Sequence, residues 1–265
     1  MSSRPIAMFD SGFGGLTVAR AVIDLLPTQD LVYFGDTGRY PYGSRPLAEV
    51  HEFAMQIGSM LRHDYNAKLL VVACNTASAA ALDDLRAELD IPVVGVIEPG
   101  IVAAAKGSHS GKVGVVGTVG TIDSGAYPHA IEENDLPIEL TACACPGFVE
   151  FVERGETDGA GVHLLAQRLL EPVIHAEVDT LLLGCTHYPY LARTIGDVMG
   201  REVLLVSSAD ETAFEVRRLL VEDSCPGRVG RRRFISSGDA SVFETIGRRL
   251  FGAELVGATE HRWDI

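Results

Sequence analysis

The feature that most restricts how this chain can fold is a series of short, almost wholly apolar runs. They read IAMF (6–9), LVYF (31–34), LLVVA (69–73), VVGVI (93–97), VGVVG (113–117), IELT (138–141), TLLLG (180–184), VLLV (203–206) and RFIS (233–236). A strand with one wet face alternates apolar and polar residues, whereas a strand buried on both faces is apolar along its length, as in parallel sheets. Between most of the runs lie segments of helical length, at 14–26, 46–64, 76–89, 121–134, 159–176, 189–199, 209–221 and 240–251. Strand and helix in this alternation predict an α/β fold with mostly parallel central sheets and helices on both faces.

A second pattern cuts the chain into two similar halves. IAMFDSG opens one series of strands, and VGVVGTVGT opens another about 110 residues later. LLVVACNT is echoed by TLLLGCTH at nearly the same offset. In each series an early strand ends in small polar residues, and a later strand ends in a cysteine followed by amide or hydroxyl residues. Ligands of open α/β sheets bind beyond the carboxyl ends of the strands. Two halves facing each other would therefore set Asp10, Cys74, Thr118 and Cys185 around one cleft.

Composition narrows the classes of function. With 265 residues, 47% hydrophobic and 22% charged, the chain is long enough for one large or two smaller domains, each with a core. No apolar run reaches the roughly 18–20 residues of a membrane span. The N-terminus MSSRPIAMFDSG enters a strand-like run without the charged, apolar and cleavage regions of a signal peptide, so a cytoplasmic location is expected. The net charge of −14 opposes a polyanionic partner, and the one dense basic run, Arg231–Arg232–Arg233, is short. Nucleic acid binding through the bulk surface is not expected. Cysteines stand at 74, 143, 145, 185 and 225, an odd number without secretory features, and C-x-C lacks the paired spacing of a structural zinc site. Free thiols are the expectation.

Two of those thiols carry the strongest chemical signal. Cys74 and Cys185 each follow an apolar strand and precede polar residues, Asn75–Thr76 in one case and Thr186–His187 in the other. Pro189 is placed to open a helix after Cys185, and a thiol at a helix N-terminus gains thiolate character from the helix dipole. His187 can shuttle a proton or support that thiolate. A single free cysteine is commonly a small buried hydrophobe; two at equivalent places point to function.

Other candidates keep two readings. Asp10–Ser11 in FDSGFGGLT sits in a glycine turn that lacks the third glycine of a dinucleotide fingerprint and the Lys of a P-loop. Asp10 is then either a helix cap or a catalytic carboxylate. Glu150 and Glu153 in GFVEFVERG share one helical face, which is either solvated or functional. Tyr42–Gly43 and Thr118/Thr121 suit a turn as well as they suit the holding of a carboxylate or ammonium. The only lysines are Lys68, Lys106 and Lys112, none at a strand's carboxyl end, which argues against a pyridoxal Schiff base.

Two thiols on opposite sides of one carbon can invert a stereocentre without a cofactor, one taking a proton as thiolate while the other delivers one as thiol. Backbone amides and Asn, Thr and Ser side chains then hold the substrate and its developing charge. DSGFGGLTV, YFGDTGRYPYGSR, VVACNTASA, CPGFVEFVERG and LLLGCTHYPYL, in that order, resemble the glutamate racemases of the aspartate/glutamate racemase family. The resemblance runs from Asp10 to at least Leu191. Related aspartate and hydantoin racemases share the two-cysteine plan, but the DSGxGGLTV and PYG stretches are closer to the glutamate enzymes.

The resemblance implies a cofactor-independent interconversion of L- and D-glutamate that supplies D-glutamate for peptidoglycan. By that analogy Cys74 deprotonates D-glutamate and Cys185 deprotonates L-glutamate, with Asp10 assisting the first and Glu153 and His187 the second. Ser11, Tyr42, Gly43, Asn75, Thr76, Thr118, Thr121 and Thr186 would bind substrate, alongside Asp10 and His187. It further implies a homodimer, no metal, and two α/β domains related by a pseudo-twofold, residues 1–96 plus 209–265 and residues 97–208, with the site between them. Aspartate racemisation, and a small-molecule binding protein with structural cysteines, are the competing readings.

Overall fold

All nine apolar runs form strands: β1 (Ile6–Asp10), β2 (Leu31–Gly35), β3 (Leu69–Val72), β4 (Val93–Gly95), β5 (Lys112–Gly117), β6 (Glu139–Ala144), β7 (Thr180–Gly184), β8 (Leu204–Ser207) and β9 (Arg232–Ser236). A tenth, β10 (Thr259–Glu260), is two exposed residues long, too short for any periodicity to announce it. The structure, a computed structural model, describes residues 4–220 and 228–263. Cys225 and the last residue of the 209–221 segment lie outside them.

The strands make two sheets, ordered β10-β9-β2-β1-β3-β4 and β6-β5-β7-β8, and every pairing among the described residues is parallel. The order β2-β1-β3-β4 in the first sheet is repeated strand for strand as β6-β5-β7-β8 in the second. In each, the chain moves outward to one side after its first strand and to the other side after its second. The switch falls at the carboxyl ends of β1 and β3, and again at those of β5 and β7, where open α/β sheets bind ligands.

Helices cover both faces, as parallel strands require. They are α1 (Leu16–Leu25), α2 (Leu47–His63), α3 (Asn75–Glu88), α4 (Ile97–Gly107), α5 (Val119–Asp123), α6 (Ala126–Glu133), α7 (Phe148–Arg154), α8 (Ala160–Leu169), α9 (Glu171–His175), α10 (Ala192–Met199), α11 (Ser208–Leu219) and α12 (Ala240–Phe251), with a 3-10 turn at Tyr188–Leu191. The alternation of strand side chains sorts the first core. Ile6, Met8, Leu31, Tyr33, Leu69 and Val71 pack with Leu16 and Val22 on one side. Ala7, Phe9, Val32, Phe34, Leu70 and Val72 pack with Ile57, Leu61 and Leu85 on the other. Each fully buried Val, Leu, Ile, Phe or Met among them contributes about 1.5–3 kcal/mol.

Several helical segments differ from the sequence pattern, among them 189–199, which opens as the 3-10 turn at Tyr188–Leu191. The 121–134 stretch breaks at Gly125, whose left-handed φ of 73° ends one helix and starts the next. The 159–176 stretch breaks where Pro172 opens α9. Helix α4 has no counterpart among the expected segments, because IEPGIVAAAKG is apolar almost throughout. Its buried stripe of Ile97, Gly100, Ile101 and Ala104 packs toward β7, α6 and α11, with Gly100 against Leu182 and Ser208, while the half-exposed Val102, Ala103 and Ala105 give the outer side few polar residues.

Candidate active site

The carboxyl ends of β1, β3, β5 and β7 converge on one cleft with about 690 Å³ of empty space. Ala73 extends β3 by donating its amide to Phe9 O at 2.8 Å, so the next residue, Cys74, emerges beside Asp10. Of the expected residues, Asp10, Ser11, Tyr42, Gly43, Cys74, Asn75, Thr76, Thr118, Cys185, Thr186 and His187 line the cleft. Thr121 and Glu153 do not; each stands one layer behind a residue that does.

Cys74 is the N-cap residue of α3, with extended backbone and its carbonyl accepting from Ser78 N at 2.8 Å. Burial, and then the neighbouring Asp10 carboxylate, push its thiol up to about 12, against the opposing pull of the Ala77 and Ser11 amides. Cys74 therefore rests protonated. Asp10 is itself buried, and burial raises its carboxyl above the ordinary carboxylate range although nearby His187 works the other way. Its Oδ2 accepts from Gly15 N at 2.9 Å, Gly12 N at 3.2 Å and the Tyr33 hydroxyl at 3.4 Å. Its Oδ1 is buried with no protein partner. Asp10 thus braces the glycine turn by accepting from Gly15, the N-cap residue of α1, without being that cap itself, and it keeps one oxygen unpartnered.

The opposite wall is built differently. Cys185 leads into a four-residue 3-10 turn and not an α-helix, so the expected helix dipole is largely missing. A histidine stands in its place. His187 Nδ1 lies 3.9 Å from Cys185 Sγ, a long sulfur contact, and its Nε2 lies 3.1 Å from Glu153 Oε1. Burial alone would lower the imidazole, but the bonds to Cys185 and Glu153 outweigh it and raise His187 to about 10. Burial, and then the nearby Glu153 carboxylate, hold the Tyr40 hydroxyl well above the phenol range. Glu150, one turn earlier on α7, is exposed and lines the cleft, whereas Glu153 reaches His187 from behind the lining.

Polar groups from both sheets meet between these walls. Thr76 Oγ1 lies 3.0 Å from Thr118 Oγ1 and 3.2 Å from Thr121 Oγ1, and Thr118 and Thr121 are 2.9 Å apart, a closed triangle of hydroxyls. Asn75 Nδ2 donates to the Tyr127 hydroxyl at 3.0 Å, which leaves its buried Oδ1 without a protein partner. Two orphaned oxygens, on Asp10 and Asn75, thus flank Cys74 and suit a cationic group. The Tyr42 hydroxyl donates to Asp36 Oδ2. Sequence reasoning missed Tyr40, Cys145 and Tyr188 in the cleft and Tyr127 behind it. The YPYG and HYPY stretches contained the first and third, but aromatic residues beside prolines look like ordinary loop packing.

Residues 17–214 match the family model of Asp/Glu/hydantoin racemase. A glutamate racemase of Parafrankia sp. (strain EAN1pec) is 48% identical over 267 residues, covering 98% of this chain and 95% of that protein. Among solved structures, a glutamate racemase isoform of Bacillus anthracis superposes with a TM-score of 0.90 at 41% identity, covering 98% of this chain and 97% of its own. The glutamate racemase of Francisella tularensis in complex with D-glutamate gives 0.88 at 32% identity, with coverage of 98% and 97%. With paired cysteines across one cleft, and likeness along nearly its full length, the chain belongs to the Asp/Glu/hydantoin racemase family.

Proposed function

We propose that this protein is a glutamate racemase that interconverts L- and D-glutamate by two-base proton transfer between Cys185 and Cys74, with no cofactor. The observation that carries the reading is geometric: the buried thiols Cys74 and Cys185 follow β3 and β7 and line one cleft, with His187 Nδ1 3.9 Å from Cys185 Sγ. Cys185, as thiolate paired with the His187 imidazolium, removes the α-proton of L-glutamate. The Sγ–H bond of Cys74 breaks on the opposite face, its proton joins the α-carbon, and D-glutamate leaves behind a Cys185 thiol and a Cys74 thiolate. The reverse sequence starts from D-glutamate.

Asp10 opposes the Cys74 thiolate by charge, so its role is that of a relay once the substrate ammonium faces its free Oδ1. Glu153 holds the imidazole and keeps it protonated. Ser11, Gly43, Asn75, Thr76, Thr118 and Thr186 bind the carboxylates and ammonium, with Thr121 and Tyr42 bracing them. Glutamate as substrate is supported by the names of the relatives, since the thiol pair does not measure substrate length. The product would serve peptidoglycan synthesis in the cytoplasm. Residues 1–96 with 209–265 form one domain of this reading and 97–208 the other, and the working unit is a homodimer.

The test is exchange in heavy water. Each enantiomer is incubated with enzyme in D₂O, and α-deuteron incorporation is followed by mass spectrometry. Deuterium is expected in both enantiomers from either starting point; a fully protonated α-carbon after prolonged incubation with folded enzyme would sink the reading.

A further inference from the structure

Asp36 lies just beyond β2, outside the cleft, and is fully buried. A buried carboxylate is costly unless donors satisfy it, and here each oxygen has two. Oδ1 accepts from Ser237 Oγ at 2.6 Å and from Trp263 Nε1 at 3.1 Å. Oδ2 accepts from Arg39 Nε at 2.7 Å and from the Tyr42 hydroxyl. These donors belong to three separate stretches: the loop after β2, the turn between β9 and α12, and the segment after β10. The Arg39 guanidinium is itself clasped by the rings of Phe53 and Trp263, at 4.2 and 4.1 Å.

The loop so held is one wall of the cleft. Tyr40 to Ser44 all line it, and Gly43 O accepts from Gly120 N at 3.0 Å. A Cβ on Gly43 would meet the Thr118 side chain at 2.8 Å, so the wall tolerates little displacement toward the hydroxyl triangle. Neither Ser237 nor Trp263 lines the cleft. We propose that Asp36 is a positioning residue for this wall, and that Ser237 and Trp263 act through it to set the affinity for substrate. The proposal deepens the glutamate racemase reading and rests on it.

The variants Trp263→Phe and Ser237→Ala each remove one donor, and the first keeps a ring against Phe34, His261 and Arg39. Two readouts are taken on each: steady-state racemisation of L-glutamate, and amide hydrogen exchange over residues 37–46 without substrate. The expected result is faster exchange in that loop together with a KM raised roughly 3–30-fold and a kcat within about twofold of wild type, a part of the roughly 10–150-fold that a hydrogen bond to a charged group represents, because the bond acts on the substrate through the loop. In a Tyr42→Phe background the effect of Trp263→Phe on KM should shrink below about twofold, because the path runs through that hydroxyl. Unchanged loop exchange in both variants overturns the proposal whatever the substrate. Faster exchange with unchanged KM in an active enzyme also overturns it, since the loop would then not be a substrate wall. A wild type inert on glutamate whose variants still exchange faster removes the substrate assignment and leaves the hold of Asp36 on the loop standing.

Discussion

Gly14 marks how closely the two walls approach. A Cβ there would lie 2.4 Å from His187 Nδ1 and 2.5 Å from Thr186 Oγ1, so only a residue without a side chain lets the glycine turn reach the Cys185 side. Gly14→Ala is therefore expected to displace the imidazole and lower kcat roughly 100-fold while the folded state survives, measured by turnover and circular dichroism. Asp10→Asn keeps the size and most hydrogen bonds of the residue but removes the relay. A fall in kcat/KM of roughly 10²-fold is expected. Because the two enantiomers are equal in free energy, the fall must be the same from L- and from D-glutamate; turnover unchanged in both directions would refute the relay. At this scale the sequence was informative where chemistry repeats. Cys74 and Cys185 stood out because both follow strands and both precede polar residues, but the His187–Glu153 bond joins residues 34 positions apart, and no local pattern encodes it.

Secondary elements were legible where burial leaves a period or a composition behind. The strands are apolar on both faces, so their bounds differ from the sequence runs by at most a few residues. Helix α4 was lost because its half-exposed positions Val102, Ala103 and Ala105 are apolar as well, so no polar stripe marks it. Tertiary pairing was invisible in the hydroxyl triangle as well, where α3 contributes Thr76 and the start of α5 contributes Thr118 and Thr121. Thr121→Val replaces the fully buried apex by an isostere that can neither donate nor accept. Loss of its bonds to Thr76 and Thr118 is expected to raise KM roughly 2–10-fold, with kcat much less affected, in steady-state assays.

For the molecule as a whole, His187 and Cys74 act on the pH dependence of stability with the same sign. His187 is raised from 6.5 to about 10, so the stability it contributes is complete below about 6.5 and lost as pH climbs through about 10. Cys74 is raised from 9.0 to about 12, which extends the loss across that interval. Thermal unfolding followed from pH 6 to 10 should therefore show a falling midpoint, and His187→Asn should flatten the lower part of that slope. A profile for the variant parallel to wild type would show that His187 is not the titrating group.

The two sheets keep separate cores, and each supplies one of the two thiols that line the cleft. The gap between Cys74 and Cys185 is consequently a property of neither core but of the seam between them, where Thr17 Oγ1 reaches Thr186 O at 3.3 Å and Gly120 N reaches Gly43 O at 3.0 Å. A lesion in that seam can silence the enzyme while every melting curve stays normal, so an inactive variant of this protein is poor grounds for inferring a misfolded one. The seam is equally a place where a small molecule could act as a wedge, stopping proton transfer without ever resembling the substrate.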